Sequence, residues 1–267
     1  MNMMAVDTLR FATYLAPNIY ETYAAIARYV GEQIGQPAQL SVGQSFNAFA
    51  CGQVDVGFLC GLPYTQLADS PDHAIELLAA PVLHGERYQQ RPIYFSDVVV
   101  RKDSPYTSFD ALRGSVWAYN QRTSHSGWNV VCCNLWQRGK TPTYFGELVE
   151  TGSHLRSLAH VLDGEADATA IDSQVLDVFC LQQPEQAASL RVIESFGPSP
   201  IPPVVIASTI DLDLKRHIQN ILLTMHEDAL AASALRQGAI ERFVRVCDED
   251  YDPIRKMNRE SLSFKSL

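Results

Sequence analysis

Short apolar runs and amphipathic helical runs alternate along nearly all of this 267-residue chain, and that alternation restricts the possible folds severely. Residues 8–15 have strand character. Pro17-Asn18 breaks the run, and Ile19, Tyr23, Ile26, Val30 and Ile34 then recur at helical spacing up to Gly35. Residues 38–42 form a second strand, Ser45 is placed to cap a short helix carrying Phe46 and Phe49, and 54–59 form a third strand. Strands at 75–83 and 93–100 follow. The same grammar recurs downstream: strand 116–119, helix 126–138, strand 144–150, helix 152–162, strand 168–171 and helix 173–181. A strand at 204–207, a helix from 212 to about 232 and an amphipathic tail complete the chain. The expectation is an α/β fold, with helices on the faces of a largely parallel sheet.

One internal echo divides the chain. Gly52-Gln53-Val54-Asp55-Val56-Gly57-Phe58-Leu59 resembles Gly164-Glu165-Ala166-Asp167-Ala168-Thr169-Ala170-Ile171. Each is a Gly turn, an Asp and a small-residue strand, so either two similar αβ lobes or a chance likeness of αβ turns explains it. Proline-rich stretches at 87–92 and 197–203 read as crossings between lobes. The expected division is 1–90 plus 197–267 for lobe one and 91–196 for lobe two, with a cleft between them.

Composition narrows the function. Hydrophobic residues at 46% and charged residues at 19% are an ordinary globular balance, and the formal charge is −9. Such an acidic chain is a poor nucleic-acid or anionic-membrane binder, so no nucleic acid and no membrane insertion are expected. A local anion site survives this argument, because backbone amides and hydroxyls build one without net positive charge. The first fifteen residues lack a basic start, a long apolar run and a small-residue cleavage site. A cytoplasmic location is expected as written, and a periplasmic one if the start is truncated. The six cysteines show no CxxC pair, which favours reduced, mostly buried thiols.

The densest polar cluster runs from Tyr119 to Trp128, between a strand and a strong helix. Thr123, Ser124 and Ser126 stand at that helix start with His125 among them. Unpaired N–H groups and the positive end of the helix dipole make this an anion site, although a single hydroxyl there would serve as an N-cap. Gly152-Ser153-His154 repeats the arrangement at the next junction, where His154 is either an anion donor or a structural histidine. Asp172 and Tyr64 follow the two echoed strands. Ligands bind at such strand ends in open α/β sheets, but Asp172 could equally cap its own helix. Tyr94, after the first crossing, lines the cleft or belongs to the core. The motifs GxSxG, GxxxxGK[ST], GxGxxG and HExxH are absent, and the histidines show no metal spacing. Adjacent Ser124 and His125 make a poor triad with Asp172. No enzyme, metal or cofactor is expected.

The segments Phe95–Pro105, Thr123-Ser124-His125-Ser126-Gly127, Gly152-Ser153-His154 and Gly52–Val56 resemble the phosphate/phosphite/phosphonate-binding, PhnD-like family of ABC-transporter substrate-binding proteins. The resemblance implies a type II periplasmic-binding-protein fold, with two αβ lobes, two hinge crossings and a ligand cleft. It implies that Thr123, Ser124, Ser126 and His154 hold a tetrahedral oxyanion. Asp172 would meet a protonated oxygen or an amino group, and Tyr64 and Tyr94 would close over the ligand. His125 stands where the family often has a small hydroxyl residue, so it narrows the pocket or adds a donor. A monomer partnered by an ABC permease is the expectation. A cytoplasmic sensor of another small anion, or an enzyme on the same scaffold, is the alternative.

Overall fold

The computed structural model of the protein describes residues 8–141 and 143–262. In chain order the elements are β1 (Leu9–Thr13), α1 (Tyr20–Ile34), β2 (Ala38–Val42), α2 (Asn47–Ala50), β3 (Val56–Phe58), α3 (Gly61–Ala68) and β4 (Ile75–Leu83). Next come β5 (Ile93–Arg101), β6 (Val116–Tyr119), α4 (Val130–Gln137), β7 (Glu147–Glu150), α5 (His154–Asp163), β8 (Ala168–Asp172), α6 (Ser173–Gln182), α7 (Pro184–Ala187) and β9 (Leu190–Pro200). The last are β10 (Val204–Ala207), α8 (Leu212–Thr224), α9 (Ala229–Gln237), β11 (Ile240–Val244) and α10 (Asp252–Glu260). They form two compact units: the chain up to Pro92 with Ile201–Asp250, and Ile93–Pro200 with the chain from Tyr251 onward.

Unit 1 holds a six-stranded sheet in the order β11-β4-β10-β3-β1-β2. β1 pairs in parallel with β2 and β3, whereas β10 and β11 run antiparallel to their neighbours. Unit 2 holds a five-stranded sheet in the order β7-β6-β8-β5-β9. Here β6 pairs in parallel with β7 and β8, and β5 is antiparallel to both β8 and β9. Both sheets are therefore mixed rather than largely parallel. In each, the parallel strands carry the βα turns.

The echo is a structural equivalence. Gly52 and Gly164 both adopt positive φ, 62° and 77°, where a side chain would be strained. Asp55 N–H donates to Arg10 O (2.8 Å), and Asp167 N–H donates to Val116 O (2.9 Å). The carboxylates return the favour: Asp55 Oδ2 accepts from Arg10 N–H and Asp167 Oδ2 from Val116 N–H, both at 2.8 Å. Each Asp thus closes the first rung between two parallel strands, satisfying an N–H that the ladder cannot reach.

Aromatic packing fills the sheet faces. In unit 1 the Tyr23 ring stacks on Phe58 at 4.2 Å. In unit 2 Trp117 is wholly buried, stacked on Phe145 at 4.5 Å, with Phe109 edge-on at 5.8 Å. Burying such side chains contributes about 2–3 kcal/mol each before entropy is counted.

Four further sequence expectations change, the first being that only Cys132 and Cys133 of the six free thiols are buried. The helix expected over 212–232 ends at Thr224, because Asp228 accepts from Leu230 and Ala231 N–H and starts a new helix, α9. Residues 197–200, read as a crossing, end the long strand β9, and Pro198 and Pro200 are tolerated there because β9 is a sheet edge. The tail from Tyr251 packs with unit 2 rather than lobe one: Ile254 is buried, Met257 lies against the unit 2 core, and Gln137 Nε2 donates to Glu260 Oε2 (3.4 Å).

If Asp167 closes the β6–β8 rung, Asp167→Ala leaves Val116 N–H unsatisfied and lowers stability by about 1–2 kcal/mol. Asp167→Asn, which keeps an acceptor, recovers most of that loss. Urea unfolding checks both, and an Asp167→Ala midpoint equal to the native one would refute the role.

Candidate functional site

In unit 2, β6, β7 and β8 each lead into a helix, so three helix starts gather along one sheet edge. The side chains at those starts are joined to each other. Ser124 accepts from Gly127 N–H at 3.0 Å, and Asn129 N–H reaches back five residues to Ser124 O at 3.0 Å. The turn from His125 to Asn129 is therefore one residue wider than an α-turn, a form often found at functional sites. Its first N–H groups lack partners within the helix.

Ser126 connects the first two starts, because its Oγ lies 3.1 Å from His154 Nε2, and His154 is the first residue of α5. The third start is tied in through β5. Ser96 Oγ donates to Ser126 O at 2.6 Å, and Ser96 is the register partner of Asp172, the N-cap of α6. Phe95 N–H donates to Ser173 Oγ at 3.0 Å. Gly127 is needed here for space: a Cβ would stand 2.0 Å from Asn120 Oδ1, a buried acceptor without a hydrogen-bond partner.

The side chains expected from sequence fall into three groups. Ser124, Ser126, His154 and Asp172 are buried and stand at the junction. Thr123 is exposed, its hydroxyl 3.3 Å from Gln121 Oε1, outside the buried network. Tyr94 is buried at the start of β5, opposite Ser199, its ring 6.4 Å from that of His125. His125 is wholly buried, with Asn129 Nδ2 3.0 Å from its Nδ1 and Ser199 Oγ 3.1 Å from its Nε2. Both ring nitrogens are thus engaged by this chain rather than offered as new donors. Tyr64 belongs to unit 1, in the first turn of α3, and its hydroxyl donates to Asp248 Oδ1 at 2.6 Å.

Sequence reading missed Ser96, Asn129 and Ser199. Ser96 precedes Asp97 in the polar pair of a mostly apolar strand, and Asn129 stands four residues after His125 on a helical run. The i,i+4 spacing of His125 and Asn129 was visible, whereas the partner of Ser96 is set by register.

The joined side chains include no Lys or Arg. Burial lowers the His154 pKa to about 4, a shift partly opposed by the Ala170 carbonyl, so the ring is neutral near pH 7. Burial raises the Asp172 pKa to about 7, against the stabilising N–H groups of Gln174 and Val175, and Asp97 and Asp177 add to the rise. The edge is therefore rich in neutral donors beside a carboxyl that holds its proton well above the usual carboxylate range.

Two α/β units, with helix starts converging on a polar sheet edge, define a type II substrate-binding protein. The chain belongs to the family of phosphonate ABC-transporter periplasmic substrate-binding proteins, whose model matches residues 11–251. That family is a transporter component and not an enzyme class. Its fold is shared with a binding protein component of an ABC phosphonate transporter from Pseudomonas aeruginosa, at TM-score 0.83 and 17% identity, over 95% of this chain and 86% of that one. PhnD1 from Prochlorococcus marinus, solved with methylphosphonate, matches at TM-score 0.82 and 15% identity, over 96% and 98%. A Xanthomonas citri protein solved with ATP matches at 0.73 and 16%, over 97% and 98%.

The two shifted groups pull stability in opposite directions. Asp172 binds a proton in the folded state that it has lost in the unfolded one between pH about 4 and about 7, so its contribution falls as pH rises through that window. His154 stays neutral when folded while the unfolded ring protonates below about 6.5, so its contribution rises from pH about 4 to about 6.5. Relative to the native protein, Asp172→Asn should make stability climb more steeply with pH, and His154→Gln should make it climb less. Thermal unfolding from pH 4 to 7 checks this, and parallel profiles for all three proteins would contradict it.

Proposed function

We propose that the protein binds a small phosphorus oxyanion (a phosphonate, phosphite or phosphate) at the helix-start edge of unit 2. It does so without turnover, as the substrate-binding component of an ABC transporter working with a membrane permease. The observation that carries this reading is the Ser126–His154 contact, which holds the starts of two helices together at 3.1 Å. Helix starts favour anions because their N–H groups are unpaired and their dipoles point positive.

Recognition by neutral groups leaves selectivity to hydrogen-bond count and protonation. Ser124 and Ser126 fix the turn, and the amides at its opening donate to the oxyanion. Protonated Asp172 supplies a further donor to a ligand oxygen. Once ionised, it repels a dianion instead. Asn120 Oδ1, buried and unpartnered, is an acceptor suited to a protonated ligand oxygen. Among the described residues no helix is long and apolar enough to cross a membrane, so a role in transport assigns the crossing to the permease.

Calorimetry with methylphosphonate, phosphite, phosphate, a sulfonate and a carboxylate tests the reading. Binding to at least one phosphorus oxyanion is expected, with Ser126→Ala weakening it by about tenfold or more. Heat from only the sulfonate or carboxylate would overturn the ligand class. Affinity should weaken as pH rises through about 7, where Asp172 ionises, and Asp172→Asn should flatten that profile. An unchanged profile would leave Asp172 as a helix cap alone.

A further inference from the structure

His125 is held in a chain of hydrogen bonds that begins at the far end of the sequence. Ser261, just past α10, places its Oγ 3.0 Å from Asn129 Oδ1, and the single hydroxyl proton is shared between that oxygen and Met257 O at 2.8 Å. The other end of the amide, Nδ2, stands 3.0 Å from His125 Nδ1. An amide N–H can only donate, so Nδ1 is the unprotonated ring nitrogen and the proton sits on Nε2. Nε2–H then donates to Ser199 Oγ at 3.1 Å, in β9 and one residue before its end.

The relay runs from Asn129 through His125 to Ser199, with Ser261 against the oxygen end of the Asn129 amide. Ser261, Asn129 and His125 are 0% exposed and Ser199 is 2% exposed, so water cannot replace any link. Ser199 is the register partner of Tyr94, and His125 is the first residue of the wide turn on which the proposed anion site is built. A small hydroxyl at position 125 could not accept on one side and donate on the other across this span. The anchors of α10 on α4 are separate: Cys133 Sγ and Gln137 Nε2 meet Glu260 Oε2 at 3.6 and 3.4 Å.

We propose that His125 is a positioning residue, and that the C-terminal segment sets its tautomer through Ser261 and Asn129, fixing the width of the anion-binding turn and hence the affinity of the seat. The link to affinity rests on the function proposed above. The tautomer does not, and it is measured on the ligand-free protein.

The test combines long-range proton–nitrogen NMR of histidine-labelled protein with calorimetry against methylphosphonate, phosphite and phosphate. The native protein should show His125 as the Nε2–H tautomer. Asn129→Asp, which presents acceptors to Nδ1, should place a proton there. Ser261→Ala should lower affinity by about fivefold or more while the protein still unfolds cooperatively. His125→Leu should lower it further, and His125→Gln, which still accepts and donates, should restore part of the loss. An Nδ1–H tautomer in the native protein, or a tautomer unmoved by Asn129→Asp, would overturn the relay. Native affinity in both Ser261→Ala and His125→Leu would overturn its bearing on the site. If the native protein binds none of the three anions, the functional reading falls, while the spectrum still decides the tautomer.

Discussion

The hydrogen bond between Ser126 and His154 is the constraint on which the rest of the site depends. It joins the start of the α4 run to the start of α5, with 3.1 Å between Oγ and Nε2. Ser96 adds the third start by donating to Ser126 O and by facing Asp172 across the β5–β8 ladder. Each helix start is side-chain capped, by Ser124, Ser153 and Asp172, and these contacts tie the three capped starts together. Joined, they bring the positive ends of three helix dipoles together on one edge.

An acidic protein of formal charge −9 can recognise anions only if local fields outweigh its overall charge. Helix dipoles and oriented hydroxyls do this over a few ångströms, within the distance at which salt does not screen them. Burial does the rest. It keeps His154 neutral and Asp172 protonated up to about pH 7, so the edge carries little charge of its own. Neutral recognition of this kind discriminates by geometry and proton inventory.

Much of this was legible from the sequence because it rests on local rules. The alternation of strand and helix gave the α/β class, and the repeated Gly–x–x–Asp turn marked equivalent rungs at Asp55 and Asp167. Of the hydroxyls clustered at residues 123–126, Ser124 caps the turn and Ser126 meets His154, while Thr123 lies outside the network. What escaped the reading depends on register and long-range contact. Ser96 matters because it pairs with Asp172, and nothing near residue 96 in the chain announces that pairing. His125 reads as a new ligand donor until Asn129 and Ser199 are seen to occupy both its nitrogens. The tail was assigned to the wrong unit because its amphipathic pattern shows that it packs, not on what. Prolines hid the end of β9, since they disqualify a central strand but not an edge.

The central claim is that an oxyanion sits on the amides of the turn opening at Ser124. Amide NMR during titration with methylphosphonate tests it most directly. The account predicts that the largest shifts fall on residues 125–127, 154–155 and 173–174, at the three helix starts of unit 2. Saturable binding with shifts confined to other surfaces would contradict it.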